Sequence, residues 1–376
     1  MNRFAYIDAL RGYAILAVIA VHCSQGAPGL AWPWRPLLDQ GSRGVQLFYV
    51  ASAITLCMSW HTRQDGAAAF YVRRLFRIAP LFWLAIPAFL AIEGFGPRYW
   101  APSGIDWRHV TATALFVHGF HPQSITSVVP GSWTIANEMT FYAIFPALIF
   151  LLRSWWAALI AAVLSIGAAT WLYPQALAFM PQIFAGEDKP LLANYATLWF
   201  PNQLPVFLIG IATYFAIVAV RFRSPLISRA ILLASLAAML ALPFYQTTWQ
   251  LHLLYSIAFA FFAFGLAHYP TRFLVHPYIC WIGKISFGAY LWHFAILGLA
   301  VLAAFKGYDP LGLKNNQSSP LFFLMFYAIT CAATFACAWV TYRLVEKPGI
   351  RLGTIVTDRL AMRRSSPALD RPARSP

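Results

Sequence analysis

Residues 6–24, YIDALRGYAILAVIAVHCS, form an apolar helical stretch that carries an acid, a guanidinium group and an imidazole. Arg11 and His22 are eleven residues apart, which is almost three full helical turns, so both lie on one helix face about 16 Å apart along the axis. Asp8 precedes Arg11 by three residues and can pair with it. Ionisable groups at membrane depth are costly and indicate function by default. The alternative is a buried pair that only braces helix contacts.

The composition of the chain decides its class. Of its 376 residues, 60% are hydrophobic and 10% are charged, and the mean hydropathy is +0.63. These values predict an all-α polytopic membrane protein. The net charge of +15 comes from short basic runs between apolar segments, so no nucleic-acid partner is expected. Five cysteines without CxxC spacing indicate neither a disulfide framework nor a zinc site.

Apolar runs of membrane-spanning length recur along the chain, each bounded by Pro, Gly or charge. We expect ten transmembrane helices, at residues 6–24, 44–60, 76–94, 134–152, 156–173, 204–220, 230–245, 251–267, 280–303 and 320–342. The weaker run 109–120 is too short to span and is predicted to be interfacial or re-entrant.

The basic residues of the loops orient these spans. A cytoplasmic N-terminus assigns 20 of the 27 Lys and Arg residues to the inner side and seven to the outer side. This positive-inside bias predicts that both termini are cytoplasmic. We therefore expect a transmembrane domain over 1–348, followed by a disordered basic tail over 349–376 that can lie against anionic lipid.

Three titratable residues fall in the outer half of the predicted bundle, namely His22, Glu138 and His293. Aromatic residues at the same level can line a pocket or bind a sugar-like ligand, and they are Trp133, Tyr142, Tyr290 and Trp292. His293 can instead be a core histidine bonded to a backbone carbonyl. Glu138 can instead be a carboxylate that interacts with the dipole of its helix N-terminus.

The inner face carries a basic cluster in FYVRRLFRIAP (70–80). Arg74 and Arg77 are three residues apart on one helix face, and guanidinium groups at that spacing suit phosphate oxygens. Arg73 is grouped with them as a third candidate for binding phosphate. Topological anchoring at lipid phosphates is the alternative for all three arginines, and for Arg73 it is the preferred one.

Six motifs in sequence order resemble the membrane acyltransferase-3 family. They are Arg11 with ten residues to His22, GVQLFYVASAI (44–54), R-x-x-R with Ile78 and Pro80 (74–80), GSWTIANEMTFYAIFP (131–146), ISFGAYLWHF (285–294) and RLVEKP (343–348). The resemblance covers most of the chain. The chain departs from the family pattern at Gln46, where many members have Asp. It departs again at Asn137, where many members have a second Glu beside the position of Glu138.

The resemblance implies an O-acyltransferase of the bacterial inner membrane, a multi-pass protein that takes an acyl group, usually acetyl, from cytoplasmic acyl-CoA. The acceptor would be a hydroxyl of a glycan or lipid-linked saccharide. Acyl-CoA would be a co-substrate, and neither a permanently bound cofactor nor a metal is expected. The resemblance implies that His22 is the catalytic residue and that the matching arginines bind the acyl donor. We add Asp8 and Glu138 as supporting groups.

The chemistry of the residues agrees with acyl transfer. A hydroxyl is a weak nucleophile at neutral pH, and a neutral imidazole can take its proton as it attacks a thioester. A transient acyl-histidine is the other route, and both stay open.

Two other classes compete with this hypothesis. A proton-coupled transporter or flippase of a glycan precursor would also use intramembrane Asp, Arg, His and Glu, but the chain shows no paired halves. Metal chemistry at His118 and His121, with His109 nearby, lacks an HExxH pattern or an adjacent carboxylate.

Overall fold

The computed structural model of the protein describes residues 4–26, 30, 32–220, 224–245, 250–305 and 319–365. Over these residues the chain is helical, with one isolated bridge between Arg98 and Ala101 and no strand. The α-helices are α1 (Ala5–Gln25), α2 (Trp34–Asp39), α3 (Gly44–Arg63), α4 (Gly66–Glu93), α5 (Trp107–Ala114), α6 (Trp133–Leu151), α7 (Trp155–Ile183), α8 (Lys189–Leu198), α9 (Phe200–Ala219), α10 (Pro225–Ala241), α11 (Leu251–His268), α12 (Pro277–Lys284), α13 (Ser286–Phe305), α14 (Pro320–Thr341) and α15 (Lys347–Ser365). The all-α class predicted from the composition is confirmed.

Every predicted span coincides with a helix, but fewer than ten meet the length and hydropathy of a membrane span. Eight helical segments of the described residues meet both, and a ninth does if α12 and α13, bent by 75°, are taken as one broken span. The remaining predicted span is α3. Its 20 residues are long enough, but Gln46, Thr55 and His61 lower its hydropathy.

The segment 109–120 does not cross the membrane as a helix. It holds the end of α5, which is eight residues long, and a 3-10 turn at His118–Phe120. Eight residues rise only ~12 Å against a hydrocarbon core of ~30 Å. This run therefore contains no helix of spanning length, and its interfacial or re-entrant placement stays a prediction.

Helix α1 lies in the middle of the bundle, against α3, α12, α13 and α14. Glycines allow this close packing. A Cβ atom at Gly283 of α12 would overlap the carbonyl oxygen of Asp8, and one at Gly44 of α3 would overlap that of Ala14. Small residues at helix contacts are the usual means of close approach in membranes. The packing holds the Arg11 and His22 face of α1 in a defined orientation.

The disorder predicted for 349–376 is wrong over residues 349–365, because α15 extends to Ser365. Gly349, Gly353 and Thr357 are buried and recur every four residues, so they form one helix face. Gly349 and Gly353 lie against Phe76 of α4. The prediction followed the basic composition and overlooked this stripe of small residues. Residues 366–376 lie outside the described residues.

Candidate active site

Three arginines from two helices converge on one small cavity, here called the arginine cavity. It is lined by Arg11 of α1, Arg74 and Arg77 of α4 and Glu138 of α6, together with residues of α3 and α13. Its volume is about 70 Å³. That is several times the ~10–15 Å³ that one water needs, but below the ~300–1,000 Å³ of small-molecule sites. The cavity therefore has room for a small group or an extended chain.

The charge of the arginine cavity is largely uncompensated. Within the described part of the chain none of its three arginines forms an ion pair. Arg11 Nη2 donates to Thr55 Oγ1 at 3.1 Å, and the buried Nε of Arg74 has no hydrogen-bond partner. Glu138 is the only lining carboxylate among the described residues, and its hydroxyl partners are Ser52 and Tyr142. Three guanidinium groups against one carboxylate favour an anionic ligand.

Two residues predicted to work with these arginines lie elsewhere. Asp8 makes no ion pair with Arg11 and does not line the cavity, because Arg11 reaches Thr55 instead. Arg73 is held by a bidentate ion pair with Asp65, just before α4, and also lies outside the lining. Arg73 points away because a helix turns ~100° per residue, so only Arg74 and Arg77 share the inward face.

A second, larger cavity surrounds the other end of the α1 face and is here called the His22 cavity. It measures about 430 Å³, within the range of small-molecule sites. Its lining includes His22, Trp133, Tyr290 and Phe294, together with Glu93 at the end of α4 and Arg98, Tyr99 and Trp100 in the loop that follows. It is therefore built from helices on one side and from connecting loops on the other.

The His22 ring is held from two directions. Its Nδ1 lies 3.1 Å from Gln25 Oε1, an arrangement that matches the neutral tautomer with the proton on Nδ1, because an amide oxygen only accepts. The lone pair is then on Nε2. The ring packs against Phe294 at 4.5 Å and against His293 at 5.3 Å between ring centroids. This tautomer can accept a proton from a hydroxyl at Nε2.

Val45 and Tyr290 line both cavities and form the boundary between them. The Tyr290 hydroxyl donates to the Gly131 carbonyl at 3.0 Å. Gly131 has φ +74°, and a Cβ there would lie 2.9 Å from Phe294 Cε2. Only glycine fits this turn without strain. The loop before α6 and helix α13 are thus tied together at the boundary.

The other residues predicted on the substrate side divide between several locations. Trp133 lines the His22 cavity, Tyr290 lines both cavities, and Tyr142 and Glu138 line the arginine cavity. His293 is fully buried and donates from Nδ1 to the Tyr290 carbonyl at 2.6 Å. Trp292 lines neither cavity and instead donates to Thr341 Oγ1 at 3.2 Å.

Helix geometry explains the corrected positions. Glu138 is five residues beyond Trp133 on α6, or ~7.5 Å along the axis, and therefore reaches the neighbouring cavity. On α13, Trp292 is two residues after Tyr290, or ~200° around the helix, so it faces α14 instead of the cavities.

The two departures from the family motifs have structural roles. Gln46 Nε2 donates to Gln203 Oε1 at 3.0 Å and ties α3 to α9. Asn137 Nδ2 donates to the Leu198 carbonyl at 2.8 Å and to the Tyr49 hydroxyl at 3.3 Å. Neither residue lines the arginine cavity or the His22 cavity.

The histidines of the 109–121 region are used in local contacts. His118 Nε2 donates to the Ser132 carbonyl at 3.0 Å, and burial lowers the pKa of His118 to about 4. His109 and Asp106 cap the start of α5. Over the described ranges no three His, Cys, Asp or Glu side chains are grouped as metal ligands would be.

The sequence interpretation missed the loop that closes the His22 cavity. Glu93, Arg98, Tyr99 and Trp100 all line it, and none of them was predicted to be a site residue. A signal was present, because the run RYW (98–100) places two aromatic residues directly after an arginine.

The chain matches known proteins over most of its length. The family model described as an acyltransferase domain matches residues 4–343. The exopolysaccharide production protein ExoZ of Rhizobium meliloti is 25% identical over 330 residues, which cover 83% of this chain and 90% of ExoZ. No solved structure matches the chain.

Two further curated relatives carry transferase names. The acyltransferase MdmB of Streptomyces mycarofaciens is 26% identical over 254 residues, which cover 62% of each chain. The peptidoglycan O-acetyltransferase OatA of Listeria monocytogenes is 26% identical over 386 residues, which cover 91% of this chain and 55% of OatA.

Proposed function

The chain belongs to the acyltransferase-3 family and is a multi-pass membrane O-acyltransferase, and we propose that it moves an acyl group, in the first place acetyl, from cytoplasmic acyl-CoA to a hydroxyl of a cell-envelope glycan. The names of the relatives ExoZ and OatA refer to an exopolysaccharide and to peptidoglycan, and they support a saccharide acceptor. The proposed location is the bacterial inner membrane.

One arrangement carries this proposal: a cationic cavity and a histidine cavity adjoin at Tyr290 and Val45. Acyl-CoA is anionic at its phosphates and reactive at the far end of a long, thin arm. A site for it needs positive charge at one end and a proton acceptor at the other. Arg74 and Arg77 supply the first and His22 the second.

The size of the arginine cavity limits what it can hold. A volume of about 70 Å³ does not accommodate a nucleotide, so the bulk of the donor stays outside, at the starts of α1 and α4. Arg74 and Arg77 bind the phosphates of this outer part of the donor, and the thioester arm extends past Tyr290 towards His22. The positive-inside bias of the loops supports a cytoplasmic location for this end of the bundle.

The reaction follows from the His22 tautomer. Nε2 takes the proton of the acceptor hydroxyl as its oxygen attacks the thioester carbonyl carbon, and the C–O bond forms while the C–S bond breaks. The departing thiolate takes the proton back from His22, so the products are the acylated acceptor and free CoA. The Gln25 contact holds the ring in the required tautomer.

Arg11 and Glu138 act on the donor side in this proposal. Arg11 lies on the His22 face of α1, lines the arginine cavity and can bind the acyl carbonyl oxygen or the pyrophosphate. Glu138 lines the same cavity and keeps Arg11 and Arg77 from repelling each other fully. The backbone carbonyl of Asp8 lies where α12 packs closely against α1, and Arg73, paired with Asp65, anchors the start of α4.

The proposal is tested by release of free CoA from acetyl-CoA, using purified protein in lipid nanodiscs with and without a glycan extract. Wild type should show release that the acceptor stimulates, and His22→Ala should not. His61→Ala is the matched control, since His61 bonds to the Cys57 carbonyl and stacks on Tyr214 outside both cavities. Folded wild type that releases no CoA with any of several acyl-CoAs would refute the proposal and make substrate flux the next assay.

A further inference from the structure

The His22 cavity differs from the arginine cavity in charge, and this difference bears on the acceptor. Of the described residues that line it, only Glu93 and Arg98 carry a full charge. The rest of the lining is aromatic, aliphatic or hydroxyl-bearing. Its 430 Å³ is enough for a saccharide unit beside the histidine.

Arg98 is held by three hydrogen bonds to the protein. Its Nη1 donates to Glu93 Oε2 at 2.6 Å and to the Ser127 carbonyl at 3.1 Å, and its Nη2 donates to the Gly94 carbonyl at 2.6 Å. These bonds join the end of α4 to two loops. The Glu93 carboxylate compensates the charge of the guanidinium, so the described lining of the cavity offers no uncompensated cation to an acidic ligand.

The aromatic side of the cavity is pre-organised. The Tyr99 hydroxyl accepts from Asn194 Nδ2 of α8 at 2.6 Å, and the Tyr99 and Trp100 rings are perpendicular with centroids 5.1 Å apart. Trp100 and Trp133 both pack against a second hydrophobic cluster, built on Ile125 and helix α8. Rings fixed in this way present flat apolar faces beside polar groups, which suits the alternating C–H and O–H faces of a pyranose.

From this geometry we propose that the His22 cavity binds an uncharged pyranose unit of the acceptor, held on Tyr99, Trp100 and Trp133 with one hydroxyl at His22. This inference rests on the proposed function. A uronate or phosphorylated sugar is disfavoured because its charge would lose water without gaining a counter-ion. The two cavities thus separate the substrates by charge, with the anionic donor at the arginines and the neutral acceptor at the aromatic rings.

The first test compares two acceptor pools with the nanodisc enzyme and acetyl-CoA. One pool contains neutral oligosaccharides and the other contains uronate-bearing oligosaccharides of similar length. The acylated products are identified by mass spectrometry. We expect the neutral pool to stimulate CoA release at least about tenfold more. Equal or greater stimulation by the uronate pool would overturn the inference.

The second test uses variants of the cavity. Trp100→Leu should raise the acceptor KM about tenfold more than it raises the donor KM, whereas Trp107→Leu should change neither, since Trp107 is an exposed residue of α5 outside the cavity. Glu93→Gln uncovers the charge of Arg98 and should increase the relative kcat/KM for uronate-bearing acceptors. An unchanged preference in Glu93→Gln, or a Trp100→Leu effect confined to the donor KM, would contradict the proposed site.

Two failures can be told apart. CoA release that depends on His22 but that no neutral saccharide stimulates would refute only the acceptor proposal. Absence of any CoA release from the folded protein would refute the acyl-transfer function itself. The comparison of pools needs only the wild type, so the result does not depend on whether a variant folds.

Discussion

The imidazole rings of His22 and His293 lie 5.3 Å apart, centroid to centroid, with Phe294 packed against both. His293 is fully buried, and its Nδ1 donates to the Tyr290 carbonyl. It does not line the His22 cavity. We therefore assign it a positioning role, in which it fixes the His22 ring beside the residue that separates the two cavities.

The first prediction concerns His22. His22→Ala should lower kcat by about 10²–10⁴-fold, the usual contribution of a general base, while His61→Ala stays near wild type. The measurement is CoA release at saturating acetyl-CoA and acceptor. Substantial turnover in a folded His22→Ala protein would remove His22 from the centre of the mechanism.

The second prediction concerns His293. His293→Asn can keep a donor for the Tyr290 carbonyl, whereas His293→Leu cannot, so the Asn variant should retain about tenfold more of kcat than the Leu variant. Donor KM should change little in either. A purely structural role predicts instead that kcat follows thermal stability, so both are measured on the same preparations. Equal loss in the two variants would argue against positioning through this hydrogen bond.

The third prediction concerns Arg74 and Arg77. Replacing both with Ala should raise the KM for acetyl-CoA about tenfold to a hundredfold, because hydrogen bonds to charged groups are lost. Arg153 and Arg229, which lie outside both cavities, provide the matched double-Ala control. Acetyl-pantetheine lacks the nucleotide phosphates, so the double variant should use it about as well as wild type does. A similar loss with acetyl-pantetheine would show that the arginines do not act on the phosphates.

The fourth prediction concerns the boundary between the cavities. Tyr290→Phe removes the hydroxyl that donates to Gly131, and Tyr290→Ala removes the ring as well. If Tyr290 separates donor from acceptor, hydrolysis of acetyl-CoA without acceptor should rise in the order wild type, Phe, Ala. The ratio of acylated product to released CoA measures this uncoupling. A ratio unchanged in Tyr290→Ala would mean that another residue forms the barrier.

The fifth prediction concerns the packing of α1. Gly283→Ala should lower the free energy of unfolding by ~1–3 kcal/mol, because the new Cβ overlaps the Asp8 carbonyl oxygen. Gly167 in α7 has nothing within 4 Å of an added Cβ. Gly167→Ala should therefore be neutral or stabilising by up to ~1 kcal/mol, through helix propensity. Thermal unfolding in nanodiscs measures both, and equal destabilisation would contradict the close packing of α1 against α12.

Much of the candidate site follows from local pattern. Arg11 and His22 share a face because an α-helix repeats every 3.6 residues, and the same rule puts Arg74 and Arg77 together. Composition and hydropathy predict the membrane class. These inferences depend only on spacing and composition along single helices, and the structure agrees with each helix that they require.

No local pattern of this kind predicted the contacts between helices. Arg11 reaches Thr55 of α3, and Tyr142 of α6 joins the arginine cavity, because each side chain responds to what the neighbouring helices present. Arg73 pairs with Asp65 in the turn before its own helix. The dependence on neighbouring helices also holds for α15, whose buried glycines pack against Phe76 of α4. Composition alone had indicated disorder there.

The sequence by itself determined the class of the protein, the helices and the residues of each helix face, because a helical period and an apolar run act locally. Only the tertiary structure decided that Tyr290 divides two cavities, that His293 supports His22, and that Arg98 bonds to the Ser127 carbonyl. These are contacts between segments far apart in the chain. They depend on the relative positions of packed helices, which no spacing within one segment encodes.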